Sequence, residues 1–252
     1  MNREQTIDKL LVFDVWGDYA HFRRFYTTTS PLSFTIPPRT ALCGLIGAII
    51  GKEKEDNDYL KYFTLDKAYI GLKLLKPVKK VMIAENLIDT EKSPKSFYNI
   101  KRTRIRFEFL KDQKYRIYFY HTDNDIYQQL KENLESHKSV YTPCFGLSEN
   151  IANFAFVGEF KANSNSSIGE YVQIDSVLPS GKVIERAGVN FDLSGEYFSM
   201  KVPIELNLER VVTKYSDIFF ERNGKPVEVK LSVTYWTVEY ESGSRENIVF
   251  IE

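Results

Sequence analysis

The densest group of side chains suited to binding or catalysis lies in residues 17–26, GDYAHFRRFY. Arg23 and Arg24 stand among aromatic residues, including Tyr19 and Phe22. Guanidinium groups hold phosphates and aromatic rings stack on unpaired bases, so this pattern favours binding of single-stranded RNA. The alternative is a loop whose aromatic side chains fill the edge of a core while its arginines are solvated.

A second candidate is the PPRT sequence at residues 37–40. Prolines are tolerated at the start of a helix, whose free N–H groups attract an anion, and Arg39 beside Thr40 would strengthen that attraction. Simple helix initiation is the alternative. The helix that follows carries one face without bulky side chains, formed by Gly44, Gly47, Ala48 and Gly51.

Basic residues also alternate along residues 101–106, KRTRIR. On a strand, Arg102, Arg104 and Arg106 would share one face and form a row of charge suited to phosphates. An exposed edge strand protected by charge is the alternative.

Catalysis has weaker support. Metal-free RNA cleavage needs a base and an acid, which His with Tyr or Lys can supply. His21 and His121 are candidates, with Tyr26 as a nearby tyrosine, whereas His137 fits a helix cap better. None of these residues has a diagnostic spacing, and the chain lacks the common nucleotide-binding and hydrolase motifs. The sequence therefore favours a protein without a catalytic set, a resident metal or a cofactor.

Charge is unevenly distributed along the chain. The 252 residues have a net charge of zero, but residues 1–120 carry 22 basic and 14 acidic side chains and residues 121–252 carry 12 and 20. Such asymmetry suggests a polyanion-binding face, unless the charges mix in the folded protein. Two cysteines exclude a disulfide scaffold and a multi-cysteine zinc site. With no apolar run of membrane-spanning length and no signal peptide, a cytoplasmic location is expected.

The hydrophobic patterns predict the elements that position these residues. We expect strands at 9–16, 67–75, 104–110, 115–121 and 153–160, and helices at 38–50 and 123–137. Residues 77–100 are expected to project as a hairpin or arm, and KDQK at 111–114 is expected to be a hairpin turn. With the arm and one hairpin taken as insertions, this order predicts an α+β fold of the ferredoxin-like split βαβ type.

The chain is predicted to have two parts. A ferredoxin-like domain covers 1–161 with its arm, or thumb, at about 78–103, and a β-rich subdomain covers 162–252. Residues 162–169, ANSNSSIG, are the predicted linker, and Asn223-Gly224 is a predicted hairpin turn.

Several stretches resemble one known family in the same order along the chain. They are GDYAHFRRFY, SFTIPPRTALCGLIGAIIG, RTRIRFEFLKDQKYRIYFY and YTPCFGLSENIANFAFVGEF, followed more weakly by YFSMKVPIELNLERVV. The family is that of the CRISPR-associated RAMP proteins that cap the 5′ handle of crRNA in type I Cascade complexes, called here the Cas-five family. The main match covers roughly residues 8–160, and the helix start looks most similar to the type I-B branch.

The resemblance implies a ferredoxin-like (RRM-related) domain with a thumb and a small C-terminal β domain. It also implies a subunit that grips the crRNA 5′ handle, joins the large subunit, starts the backbone filament and engages target DNA indirectly. The handle contacts it implies are Tyr19, Phe22, Arg23, Arg24, Arg39 and Thr40. Residues 145–148, which include Gly146 and Ser148, would lie beside the RNA or a neighbouring subunit.

One branch of this family cuts precursor crRNA with a Tyr, a Lys and a His. Here Tyr120-His121 stands where the resemblance leads us to expect neighbouring Lys and His residues. A non-catalytic RNA-binding and assembly subunit is therefore the first hypothesis. The second is a metal-independent endoribonuclease that uses His121 or His21, and the third is an unrelated β-rich binding protein.

Overall fold

The computed structural model describes residues 7–27, 30–53, 55–88, 102–185, 188–191 and 195–252. The chain is mixed α/β and rich in strands. Its helices are α1 (Arg39–Ile50) and α2 (Asn124–Glu135), with a kinked 3-10 segment at Glu55–Tyr62. The strands are β1 (Lys9–Ala20), β2 (Ala68–Leu74), β3 (Lys80–Ile88), β4 (Arg102–His121), β5 (Asn153–Asn165), β6 (Tyr171–Ile174), β7 (Leu178–Pro179), β8 (Tyr197–Leu206), β9 (Val212–Glu221), β10 (Val227–Lys230), β11 (Tyr235–Glu239) and β12 (Arg245–Ile248).

The main sheet has the strand order β12-β11-β5-β1-β4-β2, and β3 pairs with the other half of β4. β1 lies between β4 and β5 and is antiparallel to both. Its alternating side chains are buried on both faces: Leu11 and Phe13 join the core that includes α1 and α2, while Leu10 and Val12 join a second cluster. β1 is therefore the buried centre of the sheet, and the residues that follow it, 21–27, start from this fixed strand.

Helix α1 begins and ends where the sequence predicts. Pro38 is extended immediately before the first turn, and Gly51 ends the helix in the left-handed conformation at φ 75°. Its apolar side chains, among them Leu42, Ile46 and Ile49, are buried in the core. The predicted second helix is also confirmed, and the Asp123 side chain caps it by accepting a hydrogen bond from the Asp125 N–H at 2.9 Å. None of the helices described is long and apolar enough to cross a membrane.

The predicted turn at 111–114 is wrong. β4 runs unbroken for 20 residues, and Asp112, at φ 53°, keeps the strand continuous through a local irregularity. The two alternating segments pair with different partners: Arg102–Leu110 pairs with β3, whereas Tyr115–His121 pairs with β2. A pattern of period two broken by four polar residues therefore marks a change of partner here rather than a reversal of the chain.

Two further turn and linker predictions change. The first four residues of the predicted linker, 162–165, are the end of β5, which pairs with β11. Asn223-Gly224 does form a turn, with Gly224 at φ 77°, but β10 pairs with β6 instead of returning along β9. β11 and β12 extend the main sheet, so strands from both sides of the predicted boundary at 161/162 share it.

The predicted arm begins as a β hairpin. β3 pairs with β4 from Lys80↔Leu110 to Ile88↔Arg102, and most of its side chains are exposed at the outer end. Residues 89–101, which complete the predicted arm at 78–103, lie outside the described residues.

Candidate nucleic-acid interface

Residues 21–27 and 30–34 pair with each other beside the end of β1. The Phe34 N–H donates to the Phe22 carbonyl at 2.7 Å, and the Arg24 N–H donates to the Leu32 carbonyl at 2.9 Å. Between these pairs, Arg23 and Ser33 form an isolated antiparallel β bridge. The His21 N–H donates to the Phe145 carbonyl at 3.0 Å, which ties this segment to residues 143–147. We call residues 21–27 the arginine loop; its backbone is fixed by these pairs.

A groove of about 810 Å³ runs between the arginine loop, α1, residues 141–147 and the turn that joins β8 to β9. It therefore brings together parts of the chain far apart in sequence. The residues that line it on these elements include His21, Phe22, Arg23, Phe34, Pro38, Thr40, Ala41, Gly44, Leu45, Gly47, Ala48, Lys52, Tyr59, Tyr141, Cys144, Gly146, Leu147, Pro203, Leu206 and Arg210.

The glycine face of α1 has two sides with different surroundings. A methyl group added at Gly44 would meet no atom within 4 Å, so this position is open. At Gly47 the same group would lie 3.6 Å from Phe63 and 3.7 Å from Tyr59. The absence of a side chain at Gly44 leaves room in the groove, whereas Gly47 allows the 3-10 segment to pack close to the helix.

Three cationic side chains line the groove from different elements. Arg23 is exposed in the arginine loop, Lys52 follows α1, and Arg210 is exposed in the β8–β9 turn. The Lys52 ammonium also lies 4.7 Å from the centre of the Tyr62 ring. Two carboxylates, of Glu53 and Glu55, share the lining and offset part of this positive charge.

Tyr59 of the 3-10 segment is also among the residues that line the groove. Burial raises its pKa above the ordinary range, and the nearby Arg210 guanidinium opposes that shift. The phenol therefore stays protonated near neutral pH and is available as a hydrogen-bond donor.

Arg39 is not a surface cation, and its predicted contact with the RNA handle is wrong. The side chain is 1% exposed, and its guanidinium donates to the carbonyls of Phe63 (2.9 Å), Ile204 (3.1 Å), Thr64 (3.2 Å) and Ala68 (2.6 Å). These bonds join α1 to the segment before β2 and to β8. Because both terminal nitrogens of the guanidinium are engaged in the interior, the group does not reach a phosphate at the surface.

Phe22 is also buried, at 5% exposure, and its ring packs edge-on against Phe145 at 5.9 Å. This packing follows the alternative that the sequence left open, in which aromatic residues of the segment fill the edge of the core. Phe22 therefore forms the floor of the groove but does not offer a free face for stacking.

The other predicted contacts are accessible. Tyr19 is exposed at the end of β1 and packs its ring edge-on against Phe109 at 6.0 Å. Thr40 is half-buried in the groove lining. Ser148 is exposed, and its hydroxyl donates to the Glu149 carboxylate at 3.1 Å, which places a negative charge beside it.

Gly146 has a structural reason to be glycine. Its φ is 90°, and a Cβ atom there would lie 2.0 Å from the His21 carbonyl oxygen. Any side chain would push residues 145–147 away from the arginine loop, so this glycine sets the width of the groove at that end.

Arg24 differs from Arg23 in how far its side chain is engaged. Its Nε donates to the Ser33 carbonyl at 3.0 Å, and Nη1 donates to the Tyr26 hydroxyl at 3.0 Å. Arg23 donates one bond, of 3.3 Å, to the Thr27 carbonyl. Arg23 is therefore the freer of the two cations.

Arg102, Arg104 and Arg106 occupy alternate positions of β4 and are all exposed, opposite Ile88, Asn86 and Ala84. This confirms the predicted row of charge on one strand. The row lies on the hairpin formed by β3 and β4 and does not line the groove.

The catalytic alternative does not gain a paired site. His21 and His121 lie at opposite ends of the β1–β4 ladder, separated by roughly 35 Å of strand. His121 is buried; its Nε2 lies 2.7 Å from the Tyr62 carbonyl, and its Nδ1 accepts a bond from the Asp123 N–H at 2.9 Å. Burial lowers the pKa of His121 below its ordinary range. This neutral imidazole connects two backbone segments and has no free nitrogen.

His21 is also buried, and its Nδ1 lies 2.8 Å from the Glu108 carbonyl. Tyr26 is exposed, and its hydroxyl accepts the bond from Arg24. Among the residues that the structure describes, no three His, Cys, Asp or Glu side chains cluster as a metal site requires.

Lys52, Tyr59 and Arg210 were missed by sequence reasoning. Lys52 directly follows the glycine face of α1. A cation immediately after a helix that has one face without bulky side chains is a sequence signal that could have indicated this residue of the groove. Arg210 had no such signal, because its approach to the groove depends on the packing of β8 against α1 through Arg39.

Comparisons with known proteins agree with the sequence analysis. A family model described as "CRISPR-associated protein (Cas_Cas5)" matches residues 10–133. No curated protein sequence is detectably similar to the chain.

Among solved structures, the chain is similar to a CRISPR protein from Archaeoglobus fulgidus, with 18% identity, 97% of this chain and 100% of that chain covered, and a TM-score of 0.51. It is more distantly similar to a chain described as a CRISPR RNA-guided surveillance complex, with 10% identity, 88% and 92% covered, and a TM-score of 0.45. The first match supports a shared fold, and the second is too distant to add to it. The region that the family model matches contains β1, the arginine loop, α1 and β4, and this match confirms the resemblance of the chain to the CRISPR-associated Cas-five family.

Proposed function

We propose that this chain is a non-catalytic subunit of a type I Cascade complex, of the I-B branch, that holds the 5′ handle of crRNA in the groove. The observation that carries the proposal is the convergence of Arg23, Lys52 and Arg210 on one groove beside the open position at Gly44. Cations that converge from three elements suit the spaced phosphates of one strand, because each guanidinium or ammonium group neutralises a separate charge.

The groove also suits a single strand better than a duplex. Its lining combines the three cations with apolar and aromatic surface from Phe34, Leu206, Tyr59 and Tyr141. Sequence-specific RNA recognition uses bases that are unstacked from a helix and packed against such surfaces. The hydroxyls of Thr40 and Tyr59 add hydrogen-bonding groups for the sugar or the base edges.

The remaining parts of the molecule also have roles in this proposal. We take β1-α1-β2-β4-α2-β5 as a ferredoxin-like domain, supported by the strand order β5-β1-β4-β2 with antiparallel neighbours. The β3–β4 hairpin would be the base of the thumb, whose Arg102 and Arg104 reach the guide or, indirectly, the target DNA. The backbone subunit and the large subunit of Cascade would be the protein partners.

The test is the salt dependence of binding to an RNA that carries the CRISPR repeat. Arg23→Gln with Arg210→Gln removes two groove cations from positions where neither supports the core. For single strands, the slope of log K against log salt should flatten by roughly 0.7 for each phosphate that is no longer neutralised. Lys161→Gln is the matched control, because Lys161 is an exposed cation paired in register with Lys9, at the far end of β1. An unchanged slope in the double variant would contradict the proposal.

The same incubation, carried out in EDTA, tests the nuclease alternative. The proposed subunit leaves the repeat RNA intact, because His121 is paired on both nitrogens and His21 is remote from it. Cleavage at one position that disappears in His121→Ala would replace the proposal with a metal-independent endoribonuclease.

A further inference from the structure

A second aromatic cluster lies outside the groove, where the arginine loop meets the β8–β9 hairpin. Phe25 and Tyr26 are 63% and 60% exposed, the most exposed aromatic rings of the loop. Their rings meet edge-on at 5.2 Å, and the Phe25 ring lies 5.6 Å from that of Tyr215 on β9. We call Phe25, Tyr26 and Tyr215 the ring cluster.

Two cations border the ring cluster. The Lys201 ammonium of β8 lies 5.5 Å from the centre of the Tyr215 ring, and Arg24 Nη1 donates to the Tyr26 hydroxyl at 3.0 Å. Asp217 stands opposite Lys201 in the strand register and contributes one negative charge on the same face. The cluster thus offers exposed rings with positive charge on two sides.

The ring cluster is continuous with the groove. Arg23, which lines the groove, precedes Phe25 by two residues, and Pro203, which also lines it, is the register partner of Tyr215. A strand that leaves the groove between Arg23 and Pro203 meets the exposed rings next.

Core packing does not account for these rings. The loop is anchored by the buried Phe22 and Phe34 and by the backbone pairs of residues 22–24 with 32–34. Phe25 and Tyr26 keep more than half of their surface open although the loop is already fixed without them. Exposed aromatic rings beside cations are an arrangement by which proteins bind unpaired bases.

We propose that the ring cluster is a stacking site for one unpaired nucleobase of the RNA strand, with Phe25 and Tyr215 as the rings that contact the base. This inference rests on the proposed function, because the groove supplies the rest of the strand. The positive charges of Lys201 and Arg24 neutralise the phosphates on either side of the stacked base. The stacking energy is independent of base identity, since every base has a π face.

The experiment pairs protein variants with modified RNA. Phe25→Leu and Tyr215→Leu keep apolar contact but remove the ring, and their melting temperatures verify folding. Phe198→Leu is the matched control, because Phe198 is a 40% exposed ring on β8 whose register places it on the opposite face from Lys201. Each protein is titrated with the repeat RNA and with a series of that RNA in which a single abasic nucleotide is moved along the handle.

We expect each ring variant to bind the intact RNA about tenfold more weakly, the loss expected for one base stacked on an aromatic ring. At the one abasic position that removes the stacked base, the affinity of the wild-type protein should fall by the same factor relative to the intact RNA. The ring variants should bind that abasic RNA no more weakly than the wild-type protein does. Phe198→Leu should behave as the wild type throughout.

If the ring variants bind every abasic RNA more weakly than the wild type by the same factor, the stacking site is overturned. The rings would then be assigned to loop packing. Unchanged binding in the ring variants would also overturn it, and would leave a protein subunit as their partner. Failure of the proposed function is distinguishable, because it appears in the Arg23→Gln and Arg210→Gln variants as an unchanged salt slope with intact RNA.

Discussion

The start of α1 and the arginine loop place arginines under similar sequence conditions, yet the structure uses them in opposite ways. Arg39 follows two prolines and precedes a threonine, which predicts an anion site, but its guanidinium is buried and donates to four carbonyls. Arg23 stands among aromatic residues, which left core packing open, but its side chain is exposed on the groove. The difference is set by the surroundings: four backbone carbonyls converge on the buried Arg39 guanidinium, whereas the backbone around Arg23 pairs with residues 32–34 of its own segment.

The largest effect we expect is therefore on stability at Arg39. Arg39→Ala leaves four carbonyls without their guanidinium donors and an empty volume, and should lower the free energy of unfolding by about 3 kcal/mol or more. Arg23→Ala should change it by less than about 0.5 kcal/mol, as exposed positions do. Urea denaturation measures both, and equal losses would remove the contrast between the two arginines.

The glycine face should give the next largest effect. Gly47→Leu places a branched side chain against Tyr59 and Phe63 and should cost about 1–3 kcal/mol by overpacking. Gly44→Ala has open space and should be stabilised by up to about 1 kcal/mol through helix propensity. Thermal unfolding of the two variants tests this ranking, and a stable Gly47→Leu protein would show that the helix does not pack closely there.

Arg23 and Arg24 should act alike in RNA binding but differ in their effect on stability. Both replacements by Ala should weaken RNA binding and flatten its salt dependence, by roughly 0.7 in slope for each phosphate left without its arginine. Arg24→Ala should also lower the melting temperature slightly, because it breaks the bonds to Ser33 and Tyr26. Titrations at several salt concentrations give the slopes, and an unchanged slope in the double variant would place the loop outside the interface.

The smallest effect concerns pH. Burial holds the pKa of His121 below its ordinary value, so the unfolded chain takes up the proton first as the pH falls. The contribution of His121 to stability is complete above a pH of about 6.5 and declines as the pH is lowered from there toward its folded pKa. Unfolding free energies measured between about pH 7 and 5 should show this decline, and His121→Gln should reduce it. A steeper decline in the variant would contradict this role.

The sequence predicts local features well where one physical signal dominates. Both ends of α1 follow from Pro38, whose ring fixes φ, and from Gly51, which adopts the left-handed conformation without steric cost. The row of Arg102, Arg104 and Arg106 follows from the period of a strand. These features need no information from distant parts of the chain.

The sequence fails where a distant partner decides. In the sequence Asp112 looks like part of a turn. Only the pairing of β4 with three other strands shows that the strand continues through this residue. In the sequence Arg39 looks like a surface cation, because its partner, the carbonyl of Ile204, lies 165 residues away along the chain and cannot be recognised from the local pattern. For the same reason Arg210, carried by β8 and β9, could not be assigned to the groove.

The claim that RNA lies along the open side of α1 is tested most directly at Gly44. A Cβ atom at Gly44 meets no atom within 4 Å, so Gly44→Leu directs its side chain into the open groove, and we expect this variant to fold about as stably as Gly44→Ala. The measurement is the affinity of both variants for the repeat RNA at one salt concentration. We expect Gly44→Leu to bind at least about tenfold more weakly than Gly44→Ala while melting at a similar temperature. Equal affinities in two folded variants would contradict it, because the RNA would then lie elsewhere.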